Sequence, residues 1–147
     1  MERIGQCYES TGYLTVFIAS FFVGAEKMTY DCRIINVDED EVTVQIGDAT
    51  ITGFANCGVD AEIGEEVKVE ILLYDDIEIE LSEDNKMCIE RLGKSFKYSI
   101  WGVLDIENAV LKSLIDFEID QEELYNYGHL DGKYVRMDVL RLDLIFE

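Results

Sequence analysis

Carboxylates are the commonest reactive group in this chain, and they are unevenly spread. Residues 34–85 hold sixteen Asp and Glu, among them Asp38, Asp40, Glu70, Asp75, Asp76, Glu78 and Glu80, against one cation, Lys68. An uncompensated acidic surface draws in cationic partners, speeds their encounter and repels anionic ones. These seven residues form the candidate partner-binding set, for a basic protein. The same acids also have a plainer use. Charge on strand faces and turns keeps a sheet protein soluble and guards its edges, here in a chain with no proline to do so.

Other chemistry is thinly represented. Paired carboxylates can work as general acid and base, but with 32 acids such pairs arise by chance. The single histidine, His129, lies in GHLDGKY close to Asp131. Catalysis by histidine would have to use it, yet beside a glycine turn it reads as a surface loop residue. No nucleophile elbow, phosphate loop, dinucleotide fingerprint or zinc-protease helix is present. The acids at Asp38–Asp40 and Asp75–Asp76 lack the glycine and glutamate spacing of a calcium loop. Cysteines 7, 32, 57 and 88 are too widely spaced for a structural zinc site and read as thiols in a reducing cytoplasm. The expectation is a non-catalytic protein without metal or cofactor; a carboxylate-based hydrolase is the remaining catalytic reading.

Aromatic residues offer a second kind of site. Trp101 lies in a strand-like run, and Tyr125, Tyr127 and Tyr134 surround His129. Trp101, Tyr125, Tyr127 and His129 are the candidate set for an alternative, a barrel that stacks a sugar, peptide or small molecule on its aromatics. The formal charge of −20 argues against nucleic acid and against an anionic membrane. Lys86, Arg91, Lys94 and Lys97 reverse the sign locally, as internal compensation of the acidic half or contact between two copies.

The elements that must carry these groups are strands. With 147 residues and 48% hydrophobic content the chain reads as one folded domain over 1–147, monomeric or homodimeric. Tyr13 to Val23 is too short for a membrane span and reads as a buried strand, with a short core helix as the alternative. Cys32–Val37, Val42–Ile46 and the run after Gly47-Asp48 read as a meander, with Val37 meeting Val42 and Ile35 meeting Val44. Val67 to Leu81 alternates with one phase throughout. A hairpin with a three-residue turn, Tyr74–Asp76, keeps that phase, pairs Leu73 with Ile77 and Ile71 with Ile79, and sets Glu70 opposite Glu80. One long bent strand keeps it too. Residues 105–119 fit a helical face through Ile106, Val110, Leu111, Leu114 and Ile115 or strands through Ser113, Ile115, Phe117 and Ile119, with strands the preferred reading; Gln121–Tyr125 reads as one helical turn, and the phase change at Val139-Leu140 as a β-bulge.

The fold expected is all-β and mainly antiparallel: a small bulged barrel, OB-like among the candidates, or two packed sheets, with at most one or two short helices. The function expected is a cytoplasmic binding protein, in its most concrete form an immunity or inhibitor protein docking on a basic partner. In size and charge the chain resembles such proteins.

Overall fold

The computed structural model describes residues 3–9, 28–56 and 58–147, the first stretch by its backbone pairing alone. Among these residues are twelve strands and two short 3₁₀ turns. Five strands close a barrel and seven form a second sheet, so the chain combines the two architectures its alternation allows. The strand expected at Tyr13–Val23 lies outside the described residues.

The barrel begins with a meander of β2 (Tyr30–Asp38), β3 (Glu41–Ile46) and β4 (Ala49–Phe54). Gly47-Asp48 turns β3 into β4 with Gly47 at φ +58°, and pairs Ile46 with Ala49 and Val44 with Ile51 as their apolar phase demands. The turn before it is tighter than expected. Asp38 pairs with Glu41, leaving Glu39 and Asp40 as a two-residue loop with Glu39 at φ +56°. Val37 does meet Val42, but the register shifts between Ile34 and Asn36, so Val44 faces Ile34 rather than Ile35. Ile35 is the extra residue of this bulge and is exposed.

β5 (Glu66–Leu73) pairs with β2 on one side and with β12 (Leu142–Phe146) on the other. β12 then meets β4 in parallel through Asp143 and Phe54, which closes the ring. A meander whose third strand meets the last strand in parallel, completed by the strand between, is an OB-like path. The parallel seam needs a glycine: a Cβ on Gly53 would lie 2.6 Å from the Leu142 carbonyl oxygen and 2.7 Å from Leu144 Cγ. Ile34, Val42, Val44, Ile51, Val69 and Leu142 are fully buried.

The second sheet is inserted between β5 and β12. It comprises β6 (Glu78–Leu81), β7 (Lys86–Leu92), β8 (Tyr98–Asp105), the short hairpin of β9 (Val110–Lys112) and β10 (Asp116–Glu118), and β11 (Tyr134–Val139). β1 (Arg3–Glu9) pairs along β7, giving the order β1-β7-β8-β11-β6. The 3₁₀ turns Gln121–Leu124 and Gly128–Leu130 link β10 to β11. Across the sheet runs a buried row, Ile89, Ile100, Met137 and Ile79, one residue from each of four strands.

Two expectations are corrected by this insertion. Val67–Leu81 is neither a hairpin nor one strand: β5 belongs to the barrel and β6 pairs with β11 in the other sheet. Val69 and Ile71 are buried in the barrel and Ile77 and Ile79 in the second sheet, so a common phase did not mean a common partner. Asp75, at φ +65°, turns the chain out of the barrel. The phase change at Val139-Leu140 is likewise no bulge. There the chain leaves the second sheet, where Val135, Met137 and Val139 are buried, and re-enters the barrel, where Leu142 and Leu144 are buried.

Specific contacts join the two parts. Thr52 N–H donates to the Tyr98 hydroxyl oxygen at 2.8 Å. Arg91 Nη2 reaches Glu41 Oε1 at 3.2 Å, and Phe96 meets Phe54 edge-on at 5.9 Å. In the link between β11 and β12, the Arg141 guanidinium lies over the rings of Tyr74 and Phe54 at 3.8 and 4.3 Å and bonds Asp143 through Nε and Nη2. The buried residues of barrel and sheet form one continuous cluster.

Candidate functional site

One face of the second sheet is apolar and buried, so its alternate residues collect on the other. Strand pairing sets Glu90, Ser99, Asp138 and Glu78 in a row across β7, β8, β11 and β6. The next row holds Cys88, Trp101, Arg136 and Glu80. Ser99 Oγ donates to Asp138 Oδ1 at 2.8 Å, and Arg136 lies between Glu80 and Asp138, in ion pairs with both. Lys86 Nζ sits 4.2 Å above the Trp101 ring.

The first row opens into a cleft of about 800 Å³ at the end of the sheet. Its walls come from four places in the chain: Asp76–Glu78 before and in β6, Leu92 and Lys97 around the β7–β8 turn, the 3₁₀ segment with Glu122, Glu123 and Tyr127, and β11 with Arg136 and Asp138. Five carboxylates therefore face two cations. Asp76, Glu78, Glu122 and Glu123 have no ion pair among the described residues. Asp120 caps the 3₁₀ turn by accepting from Glu122 N–H, which holds Glu122 and Glu123 at the rim. Glu123 Oε1 also accepts the Ile77 N–H at 3.4 Å, tying the segment to the start of β6.

The acids singled out from the sequence are thus divided. Asp76 and Glu78 line the cleft, and Glu80 stands beside it on Arg136. Asp75 is exposed in the link just before. Glu70 does not oppose Glu80; it is buried on β5, opposite Ile145. Asp38 and Asp40 are at the β2–β3 turn of the barrel, where the Asp40 carbonyl accepts Ala55 N–H. Of the aromatic set, Tyr127 lines the cleft, Tyr125 and His129 are exposed outside its lining, and Trp101 is on the sheet under Lys86. Glu122, Glu123, Asp138 and Arg136 were not singled out. They are distant in sequence, and only the insertion of β11 between β8 and β6 brings them together.

Burial sets the ionisation of the groups near this junction. It holds the phenols of Tyr98 and Tyr30 above their ordinary value, and Asp116 and Glu118 add to the effect at Tyr30. It pushes the Cys32 thiol up to about 11, with Asp31 adding to the shift. Cys88 is disulfide-bonded, so the expectation of four thiols does not hold; the backbone register sets Cys7 opposite it. No group of three or more His, Cys, Asp or Glu among the described residues is arranged to hold a metal ion.

Residues 28–147 match the family model described as Uncharacterised conserved protein UCP019853. The chain belongs to that family. The match spans the whole barrel and every strand of the second sheet except β1, so the cleft lies entirely within it. No curated protein and no solved structure matches the chain.

Proposed function

We propose that this protein is a non-catalytic binding module whose acidic cleft receives a basic segment of a partner protein. One observation supports this most: Asp76, Glu78, Glu122 and Glu123 ring an open cleft with no cation paired to them among the described residues. Carboxylates so placed repel one another, and a Lys- or Arg-bearing segment relieves that repulsion on entering. The cleft is wide enough for several side chains and has Tyr127 in its wall for a cation to rest on. An immunity or inhibitor role is the concrete form of this reading, with the protein covering the basic site of its partner in the cytoplasm.

The test is a pull-down from source lysate with wild type and with the fourfold variant Asp76→Asn, Glu78→Gln, Glu122→Gln, Glu123→Gln, at low salt and at about 0.5 M salt. A basic protein held by wild type at low salt, and lost both in the variant and at high salt, is the expected result. A partner held equally by both proteins would remove the cleft from the function.

A further inference from the structure

The cleft continues into an unpaired strand edge. β6 ends the order of the second sheet, with β11 on one side and no strand on the other among the described residues. Ser82 N–H donates to the Tyr134 carbonyl, and Ser82 and Tyr134 are in register with the pairs Glu80–Arg136 and Glu78–Asp138. In an antiparallel ladder such pairs exchange both bonds, and the residues between them turn their backbone groups the other way. The N–H and C=O of Ile79 and Leu81 therefore face the open edge. The corresponding N–H of Ile77 takes the Glu123 carboxylate, where a neighbouring strand would place a carbonyl. Leu81 is 60% exposed, and Glu78 and Glu80 are exposed on one face of the strand.

The geometry points to strand addition at β6: an extended segment of a basic partner protein pairs with the backbone of Ile79 and Leu81 and sets a Lys or Arg at every second position, beside Glu78 and Glu80. This rests on the cleft reading and gives the bound segment its conformation. Backbone bonds to Ile79 and Leu81 supply sequence-independent affinity, and the period of two in the added strand matches the Glu78–Glu80 spacing. Cross-strand pairs of opposite charge stabilise the addition, and the same acids disfavour pairing with the edge of a second copy.

The register provides a clean test. Proline at position 81 removes an N–H that points away from β11 and leaves the existing ladder intact, since Leu81 and Val135 exchange no bond. The probe is a ten-residue peptide alternating Lys and Val, titrated by calorimetry into wild type, Leu81→Pro and Glu78→Gln/Glu80→Gln, with circular dichroism to confirm folding. Strand addition requires roughly tenfold weaker binding to folded Leu81→Pro, and to wild type when the peptide carries N-methyl groups on alternate residues. Binding that falls in the Glu78→Gln/Glu80→Gln variant but is unchanged in Leu81→Pro and with the methylated peptide overturns strand addition while leaving the acidic cleft as the docking site. Absence of binding to wild type overturns both. A wild-type dimer in sedimentation that Leu81→Pro dissolves assigns the edge to a second copy and also overturns the proposal.

Discussion

Tyr98 does two jobs at one position. Its ring is buried where sheet and barrel meet, and its hydroxyl satisfies the Thr52 N–H on the β4 edge that β12 leaves open. Tyr98→Phe should cost about 1–2 kcal/mol at pH 8, because a buried amide then lacks a partner. Urea midpoints measure this; an unchanged midpoint would mean that water serves Thr52 equally well. Burial, only partly offset by the Thr52 bond and Arg91, raises the Tyr98 phenol above its ordinary 10.0. A raised folded value means that stability is complete below pH 10 and falls as pH rises through the folded value. Wild type should therefore lose stability above pH 10, and Tyr98→Phe should lose less over the same range. Little of this was legible beforehand. In the sequence Tyr98 is one member of the alternating run Phe96, Tyr98 and Ile100, and no local pattern tells a tyrosine that fills a core from one that also caps another element.

At the scale of elements, the parallel seam between β4 and β12 is the tightest point of the barrel. Gly53→Ala places a methyl group against the Leu142 carbonyl and the Leu144 side chain, neither of which is free to retreat inside a closed ring. The expected loss is about 1–3 kcal/mol, read from thermal or urea unfolding, and a neutral result would show that β12 can shift outward. The meander β2–β4 was open to sequence reasoning because its turns are short and the phases on either side agree. β5 and β6 were not, because alternation reports which side chains are buried and says nothing about which sheet buries them. The cleft was half legible: Asp76 and Glu78 lie in the acidic third of the chain, whereas Glu122, Glu123 and Asp138 come from segments that only the strand order brings near.

The molecule as a whole carries 32 acids against 12 bases. Several of its ion pairs, such as Arg33–Glu66 and Lys68–Asp31, are between exposed side chains and contribute little. Net repulsion then outweighs local attraction, and screening it should help the folded state. The melting temperature should rise between low salt and about 0.5 M sodium chloride. A fall would mean that the ion pairs, not the excess charge, dominate. The same charge that shapes the cleft thus taxes the fold at rest, and a cationic partner would relieve it in the way salt does.

The insertion between β5 and β12 also dictates an order of events during synthesis. When Leu73 has left the ribosome, β2 to β5 can pair, but the ring has no closing strand; Leu142, which pairs with Leu73, emerges only after the entire second sheet. Until then the apolar lining of Ile34, Val44, Ile51 and Val69 stays open on one side. A barrel whose closure waits for so distant a strand folds slowly, and its half-built form is the species most exposed to aggregation. The inserted sheet is thus a timer: every residue that lines the cleft is synthesised before the strand that lets the barrel shut.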